Sequence, residues 1–376
     1  MARSDGRRKA EAYLRQVGRA LDAAYERAGA HERTIDLAEA RIVILSDQHK
    51  GVRDGADDFR RCEAAYDAAL GYYLEAGHTL VVLGDAEELW EATPHAIFQA
   101  YRHTLELEAE FHRAGRYRRV WGNHDDLWGT ELAVRTLLDP IFPGIRVEET
   151  IRLRVTDGGR ELGTLFLVHG HQGMRWSDRW SRVARLPVRY LWTTVQRVTG
   201  RSLNTPARDF RLRKRQDVAL YSWAEGRPGT VLVAGHTHAP IFRSRPRSAG
   251  VQAELDAVRA AAGSGGDAEA AERVRRLRAE LEWVRAEENQ ASAERVVPMA
   301  GPYYFNTGCC CFVDGHITGI EIAGGEIRLV RWPDAGGEPA PSVLERADLR
   351  EVFAACTASS DATGGDADRA EPQGGR

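Results

Sequence analysis

The stretch Arg41-Ile-Val-Ile-Leu-Ser-Asp-Gln-His49 decides the fold class, because four apolar residues in a row lead directly into polar ones. A short apolar run of this kind is typical of a strand that is buried on both faces. The same arrangement returns at residues 79–85, and residues 117–121 are predicted to be a third strand that leads into polar residues at 123–125. Patterns with helical spacing at residues 57–76 and 95–114 separate these strands. The alternation predicts an α/β fold.

Six further strands are predicted downstream, at residues 151–155, 162–168, 230–234, 303–307, 316–323 and 325–332. The last two are joined by Gly324-Gly325, a short turn that favours antiparallel pairing. An apolar stripe over residues 9–29 predicts an N-terminal helix within residues 1–40. We therefore expect a layered α/β sandwich with mixed sheets over residues 41–332.

Two segments interrupt this plan. Residues 174–225 are predicted to be a basic helical cap insertion, because residues 174–215 carry a net charge of +10 from eleven Arg and one Lys against two Asp. Residues 250–292 are predicted to be a helical hairpin insertion whose second arm carries an apolar seam. We expect that seam to fold back on the first arm, with pairing of two chains as the alternative.

The C-terminal extension, residues 333–376, is predicted to be disordered from about residue 357, where Gly, Asp, Ala and Pro dominate. The five cysteines form no CxxC pair, and three are consecutive at 309–311, which favours a reducing compartment. The first residues are polar and unlike a signal peptide, and no run of about 18 apolar residues occurs. We expect a cytoplasmic protein, with peripheral contact to an anionic membrane through residues 174–215 as an additional hypothesis.

Clusters of Asp, His and Asn follow five of the predicted strands, each flanked by Gly. Ligands of open α/β sheets bind outside the carboxyl ends of strands, so these clusters are expected around one crevice. Imidazole, amide and carboxylate donors without thiolates suit two divalent transition-metal ions, Mn²⁺ first, with Fe or Zn as alternatives. Two such ions about 3.5–4 Å apart suit in-line displacement at phosphorus. The candidate metal ligands are Asp47, His49, Asp85, Asn123, His169, His236 and His238.

Each cluster by itself has an ordinary explanation. A single Asp at a strand end usually caps a turn, and His169 alone could be a hydrogen-bonded core histidine. The pair His236 and His238 is more specific, because residues two apart face the same way in an extended segment. Five clusters in this order make a dinuclear metal site the better interpretation.

These motifs resemble the calcineurin-like metallophosphoesterase superfamily over roughly residues 41–332. The matching segments are Asp47-Gln48-His49, Gly84-Asp85, Gly122-Asn123-His124-Asp125, His169-Gly170 and Gly235-His236-Thr237-His238. The resemblance implies a four-layer α/β/β/α metallophosphoesterase sandwich with helical insertions. It also implies a dinuclear-metal-dependent phosphoesterase that hydrolyses phosphate ester or pyrophosphate bonds by attack of a metal-bridging hydroxide.

The resemblance further implies a role for each motif residue. One ion would be held by Asp47, His49, Asp85 and His238. The other would be held by Asp85, Asn123, His169 and His236, so that Asp85 bridges the two. In the fourth motif the ligand is His169 rather than His171. The catalytic residues would be His124, which protonates the leaving oxygen or stabilises the transition state, and Asp125, which orients it.

Within the superfamily, the chain is similar to the UDP-2,3-diacylglucosamine pyrophosphatase branch in three features. These are the segment Gly84-Asp-Ala-Glu-Glu-Leu-Trp90, the predicted strand at 303–307 and a helical insertion between the fourth and fifth motifs. A lipid-linked pyrophosphate substrate is therefore an alternative. The chain departs from that branch by His124, where Arg is common there, and by the extra hairpin at 250–292.

The basic segment 174–215 has three interpretations. It could be a solvated insert, a cap that attracts a phosphorylated small-molecule or lipid-linked substrate, or a nucleic-acid surface. No recognised nucleic-acid motif supports the third. A nucleic-acid-binding or scaffold protein with a vestigial metal site is the alternative to an enzyme, and the complete ligand set argues against it. The sequence leaves the oligomeric state open.

Overall fold

The chain has a mixed α/β architecture with two seven-stranded sheets in the computed structural model. The structure describes residues 2–174, 210–243, 245–246, 301–333 and 340–364, together with positions 252, 255, 256, 259, 274, 275, 278 and 281.

The strands are β1 Arg33–Asp36, β2 Arg41–Leu45, β3 Thr79–Leu83, β4 Tyr117–Val120, β5 Val147–Glu148, β6 Thr150–Asp157, β7 Arg160–Val168, β8 Thr230–Ala234, β9 Ile241–Phe242, β10 Arg245–Pro246, β11 Tyr304–Asn306, β12 Ile317–Ala323, β13 Glu326–Trp332 and β14 Ser342–Asp348. The helices are α1 Ala2–Gly29, α2 Glu63–Glu75, α3 Pro94–Ala100, α4 Arg102–Arg113, α5 Glu131–Ala133, α6 Phe210–Glu225 and α7 Leu349–Gly364.

The first sheet has the strand order β14-β13-β12-β2-β3-β4-β5. Strands β2 to β5 pair in parallel, and β12 joins β2 in the antiparallel sense. The second sheet has the order β1-β6-β7-β8-β11-β9-β10, with β7, β8 and β11 parallel. The carboxyl ends of β2, β3 and β4 therefore lie along one edge of the first sheet, and those of β7 and β8 along one edge of the second.

Strand β2 shows how the cores are built, because both of its faces are buried. Ile42 and Ile44 belong to a core that they share with second-sheet residues such as Leu165 and Val231. Residues 43 and 45 belong to a second core that also contains the apolar faces of α2 and α4. Burial on both faces explains why β2 is a continuous apolar run without alternation.

The six strands predicted downstream are confirmed, and so is the antiparallel pairing of β12 with β13. The predicted helix at 95–114 is divided at Tyr101, whose φ of −117° and ψ of 36° are not helical. Residues 1–40 contain more than the predicted helix, because β1 pairs in parallel with β6. The sequence Arg33-Thr-Ile-Asp36 has a single apolar side chain and gives little strand signal.

The expectation of disorder from about residue 357 is wrong for its first part, because α7 continues to Gly364. The residues that anchor α7 precede that point. Leu349, Val352, Phe353 and Cys356 recur at helical spacing and are buried in the core with β7 and β8. Residues 365–376 lie outside the described part of the chain.

Most of the two predicted insertions also lies outside the described residues. Of 174–225, residue 174 and residues 210–225 are described, and the latter form α6. The described positions between 252 and 281 are helical, and Leu255 and Leu281 are buried together with Val274 packed against them. This contact brings the two predicted arms of the hairpin together. Within the described residues, no helix is both long enough and apolar enough to cross a membrane.

Candidate metal centre

The polar clusters that follow five strands converge on one place between the two sheets. The Nε2 atom of His169, after β7, lies 3.1 Å from Oδ2 of Asp85, after β3. The Nε2 atom of His238, after β8, lies 3.2 Å from Oδ1 of Asp47, after β2. These two distances join the carboxyl ends of strands from both sheets, as the crevice rule predicts.

The candidate ligands fall into two groups whose donor atoms lie within 4.8 Å of one another. One group contains Asp47, His49 and His238, and the other contains Asp85, His169 and His236. The groups touch each other, since Nε2 of His49 lies 3.7 Å from Oδ2 of Asp85. The arrangement has the form of two adjacent cation sites with Asp85 between them.

Asn123 is the seventh candidate ligand. It lies in the loop after β4, between two residues that approach Asp85 closely. The backbone N–H of His124 donates to Oδ1 of Asp85 at 2.8 Å, and a Cβ at Gly122 would lie 2.1 Å from the same oxygen. Only glycine permits this approach. The Oδ1 atom of Asn123 is buried and accepts no hydrogen bond.

The backbone is strained at the ligands themselves. Seven non-glycine residues in the described part of the chain have positive φ angles, and five of them are candidate ligands. A non-glycine residue in this region costs about 1–3 kcal/mol and persists only where the surroundings enforce it. The five are Asp47, His49, Asp85, His236 and His238, with φ between 51° and 67°.

The hydrogen bonds of Asp47 leave one of its carboxylate oxygens available to a metal ion. Its Oδ2 accepts the backbone N–H of His236 at 2.9 Å and the hydroxyl of Ser46. Its Oδ1 is buried and has no hydrogen-bond partner. The 3.2 Å contact from Oδ1 to Nε2 of His238 brings two potential donor atoms for one cation side by side.

His169 is oriented in the same way by a backbone carbonyl. Its Nδ1 donates to the carbonyl oxygen of Leu83 at 3.0 Å, which leaves the Nε2 lone pair directed at Asp85. A lone pair and a carboxylate oxygen at 3.1 Å repel each other unless a proton or a metal ion lies between them. His171 belongs to neither ligand group, so the geometry favours His169 as the fourth-motif ligand.

The electrostatics of the centre favour a cation. Burial opposes a charge on the imidazole of His169, yet Asp85 and Asp47 raise its pKa to about 9. Burial is likewise outweighed at His238, chiefly by Asp47, and its pKa is also about 9. These histidines bind protons because the nearby carboxylates stabilise the positive charge on the imidazole rings. Three buried acceptor atoms without hydrogen bonds, on Asp47, Asn123 and His169, make the set fit two divalent ions.

His124 lies beside the centre, and its orienting partner is Glu88 rather than Asp125. Its Nδ1 lies 2.8 Å from the carboxylate of Glu88, which is also 3.0 Å from Nδ1 of His49. Burial would raise the pKa of Glu88, but His124 and His49 lower it to about 2. The indole of Trp90 stacks on the His124 ring at 3.9 Å between centroids and is 37% exposed.

Asp125 has a different task from the one the resemblance implied. Its Oδ1 accepts the backbone N–H of Gly122 at 2.6 Å, and its Oδ2 accepts that of Ala86 at 2.9 Å. Burial and the charges of Asp85 and Glu87 raise the pKa of Asp125 to about 7. Asp125 therefore ties the β3 loop to the β4 loop and does not contact the ring of its neighbour. Glu88 could have been found from its position three residues after Asp85.

A buried network behind the β8 loop escaped the sequence analysis. Oδ1 of Asp217, in α6, accepts the hydroxyls of Tyr304 at 2.7 Å and Thr237 at 3.0 Å. Asn306 Nδ2 donates to the carbonyl of Gly235 at 2.8 Å. The side chain of Arg213 reaches the carbonyl of Thr237 at 3.2 Å. Helix α6 thus braces the loop that carries His236 and His238, although nothing in its sequence marks Asp217 as part of a site.

No protein-family model matches the chain, and no curated protein matches its sequence.

We expect metal binding to depend on pH through His169 and His238. Both imidazoles have a pKa of about 9 without metal, so below that pH an incoming ion must displace their protons. Apparent Mn²⁺ affinity should therefore increase as the pH rises towards 9 and decrease on acidification. Calorimetric titrations in buffers of different ionisation enthalpy should detect about three protons released near pH 7, one from each of these rings and one from His49, whose pKa Asp47 and Glu88 raise well above its usual value against the effect of burial. Binding without proton release would contradict this account.

We expect Asp217→Ala to weaken metal retention by about 10–100-fold without contact to any ligand, because the β8 loop loses its brace. Two buried hydroxyls would also lose their acceptor, at a cost of about 1–3 kcal/mol in the free energy of unfolding. Asp217→Asn keeps the accepting oxygen and should behave nearly as the parent. Glu225→Ala, on an exposed turn of the same helix, is the matched control. Equal metal content in all four proteins after dialysis would show that the brace has no effect.

Proposed function

We propose that the chain is a dinuclear-metal-dependent phosphoesterase that hydrolyses phosphate ester or pyrophosphate bonds. The main support for the proposal is that two groups of carboxylate and imidazole donors lie next to each other and meet at Asp85. A vestigial site is disfavoured, because every candidate ligand lies at the centre and several donor atoms there lack any other partner.

Each proposed ion has a defined set of ligands. The first would be held by Asp47, His49, Asp85 and His238. The second would be held by Asp85, Asn123, His169 and His236. Mn²⁺ suits these nitrogen and oxygen donors, as do Fe and Zn, and a bound pair would polarise the phosphoryl oxygens and supply an activated water.

The other residues of the site act on the substrate. His124 lies at the rim of the metal groups, with a ring nitrogen within 4.8 Å of donors on His49 and Asp85. The carboxylate of Glu88 lies 2.8 Å from Nδ1 of His124 and orients the ring, which as a general acid would donate from Nε2 to the leaving oxygen. Trp90 covers one face of that ring and is partly exposed.

The fold supports the proposal in the same direction. The first sheet contributes one face to a core with α2 and α4 and the other face to a core shared with the second sheet. The core that is shared with the second sheet also contains apolar residues of α1, α6 and α7. We therefore propose the four-layer α/β/β/α arrangement, with the metal centre at the edge where the two sheets meet.

The lipid-linked substrate and the membrane contact remain predictions from the sequence. Residues 174–215, on which a lipid-linked substrate and an anionic membrane contact depend, lie largely outside the described residues. The part that is described, α6, connects this basic segment with the β8 ligand loop through Arg213 and Asp217. A substrate bound by Arg213, in the described part of the basic segment, would therefore lie near the centre.

The proposal is tested by a substrate panel with the purified Mn²⁺-loaded protein, covering aryl phosphates, phosphodiesters, nucleotide sugars and a lipid-linked pyrophosphate. The matched variant is Asp85→Asn, which keeps the shape of the side chain but removes the charge that two ions would share. We expect it to lose most bound metal and nearly all turnover. Two ions per chain and undiminished turnover in the variant would refute the dinuclear assignment, and a fully inactive parent would refute the phosphoesterase.

We expect His124→Ala to retain the metals but to slow turnover by about 10²–10⁴-fold on substrates with poor leaving groups, which need a proton. The loss should be smaller for nitrophenyl phosphate, whose leaving group is stable as an anion. Glu88→Gln should show the same leaving-group dependence in weaker form, because it weakens the hydrogen bond that orients the His124 ring. An equal loss on good and poor leaving groups would exclude the general-acid role.

A further inference from the structure

A third group of metal-binding side chains lies on the opposite edge of the His238 ring. The donor atoms of His238, Cys309 and Cys311 lie within 4.8 Å of one another, and we call this group the thiol cluster. The Nδ1 atom of His238 is 3.7 Å from Sγ of Cys311, while Nε2 of the same ring faces Asp47. One imidazole therefore joins the thiol cluster to the dinuclear centre.

The backbone holds the cysteine loop firmly against that centre. The N–H of Cys310 donates to the carbonyl of Ser46 at 3.1 Å, directly before the first ligand of the β2 loop. The N–H of Thr318 donates to the carbonyl of Cys309 at 3.1 Å. Gly308, with φ of +76°, lets the chain turn where a Cβ would lie 2.1 Å from the hydroxyl oxygen of Thr318. The two thiols are thus fixed in place beside His238.

The three consecutive cysteines are not equivalent. Cys310 is fully buried in the core with α2 and α4, where it packs as a small apolar side chain. Cys309 and Cys311 lie on the other side of the chain, next to His238, and Cys311 is partly exposed. Two thiols and one imidazole with a route to solvent are a donor set for a soft ion, unlike the oxygen-rich groups that they adjoin.

We propose that Cys309, Cys311 and His238 form a site for a thiophilic divalent ion such as Zn²⁺, and that this ion competes with the dinuclear centre for His238. A neutral imidazole has one lone pair, so a ring that binds an ion through Nδ1 carries its proton on Nε2 and cannot bind a second ion there. Three protein donors leave the fourth position of a tetrahedral ion open to water. The competition rests on the proposed function, whereas the thiol site does not.

The consequence is an inhibitory metal site. When the thiophilic ion is bound, the group of Asp47, His49 and His238 lacks one ligand, and the first catalytic ion should leave. When Mn²⁺ occupies that group through Nε2, the Nδ1–H of His238 points at Cys311 and the thiol cluster lacks its nitrogen donor. The balance between oxygen-preferring and sulfur-preferring ions would then set the active fraction of the protein.

The experiment adds Cd²⁺ to the full-length, Mn²⁺-loaded protein in a thiol-free reductant and follows three signals. These are thiolate-to-cadmium charge-transfer absorbance, the Mn²⁺ released, and phosphoesterase turnover. We expect one tightly bound Cd²⁺ per chain with the charge-transfer signal and release of one Mn²⁺. Cys311→Ser and Cys309→Ser should each lose the signal and resist the release. Cys356→Ser, at a buried thiol in the core with α7, is the matched control and should behave as the parent.

The outcomes separate the two proposals. A charge-transfer signal that persists in Cys311→Ser, or that disappears equally in Cys356→Ser, would overturn the thiol site. Because Cys311 is only partly buried, its serine variant should fold even if Cys309→Ser does not, and circular dichroism checks this. Full Mn²⁺ retention beside bound Cd²⁺ would overturn the competition. If Cd²⁺ binds as expected but the parent hydrolyses no phosphate compound, the proposed function fails and the thiol site stands.

Discussion

The rest of the site depends on two buried carboxylates, Asp47 and Asp85, that face a common space. Both are almost fully shielded from water, where an uncompensated charge costs several kcal/mol. Each has one oxygen fixed by a backbone N–H and the other directed at histidines from the opposite sheet. The raised pKa of His169 and His238 shows how strongly this negative potential attracts positive charge. A pair of divalent ions, as proposed, would supply that positive charge in place of the protons.

That demand explains the local distortions of the fold. Left-handed backbone at five ligands turns each side chain back towards the centre immediately after its strand ends. Glycine is required wherever another loop must come closer than a Cβ allows, as at Gly84, where a Cβ would lie 2.6 Å from the ring of His169. These costs oppose folding of each loop in isolation. They are offset only when both sheets are assembled and the carboxylates meet their partners, so the centre also joins the two sheets.

Sequence patterns gave the strands and the candidate ligands because both signals are local. An apolar run followed by Asp or His needs no knowledge of distant residues. The resemblance implied that Asp125 orients His124, whereas the contact with Nδ1 of that ring is made by Glu88 from the β3 loop, which no local pattern marks. Strand β1 was missed because it has a single apolar side chain and depends on pairing with β6. Helix α7 was missed although its apolar residues recur at helical spacing, because the Gly, Asp, Ala and Pro residues that follow it dominated the interpretation of the C-terminal extension. Asp217 gave no signal, because a buried carboxylate is recognisable only from the hydroxyls around it.

His238 shows why the identity of neighbouring side chains matters as much as the ligand list. Its Nε2 edge meets carboxylate and imidazole, which suit Mn²⁺, and its Nδ1 edge meets thiols, which suit softer ions. Most metal-bound histidines have a carboxylate or a carbonyl on the second nitrogen, and His169 follows this rule with Leu83. A thiol in that position is a weak hydrogen-bond acceptor and a strong metal ligand. The hydrogen bond that orients His238 is therefore weaker than the one that orients His169. For this reason we expect His238, in the β8 loop, to be the candidate ligand that a competing metal ion displaces most easily.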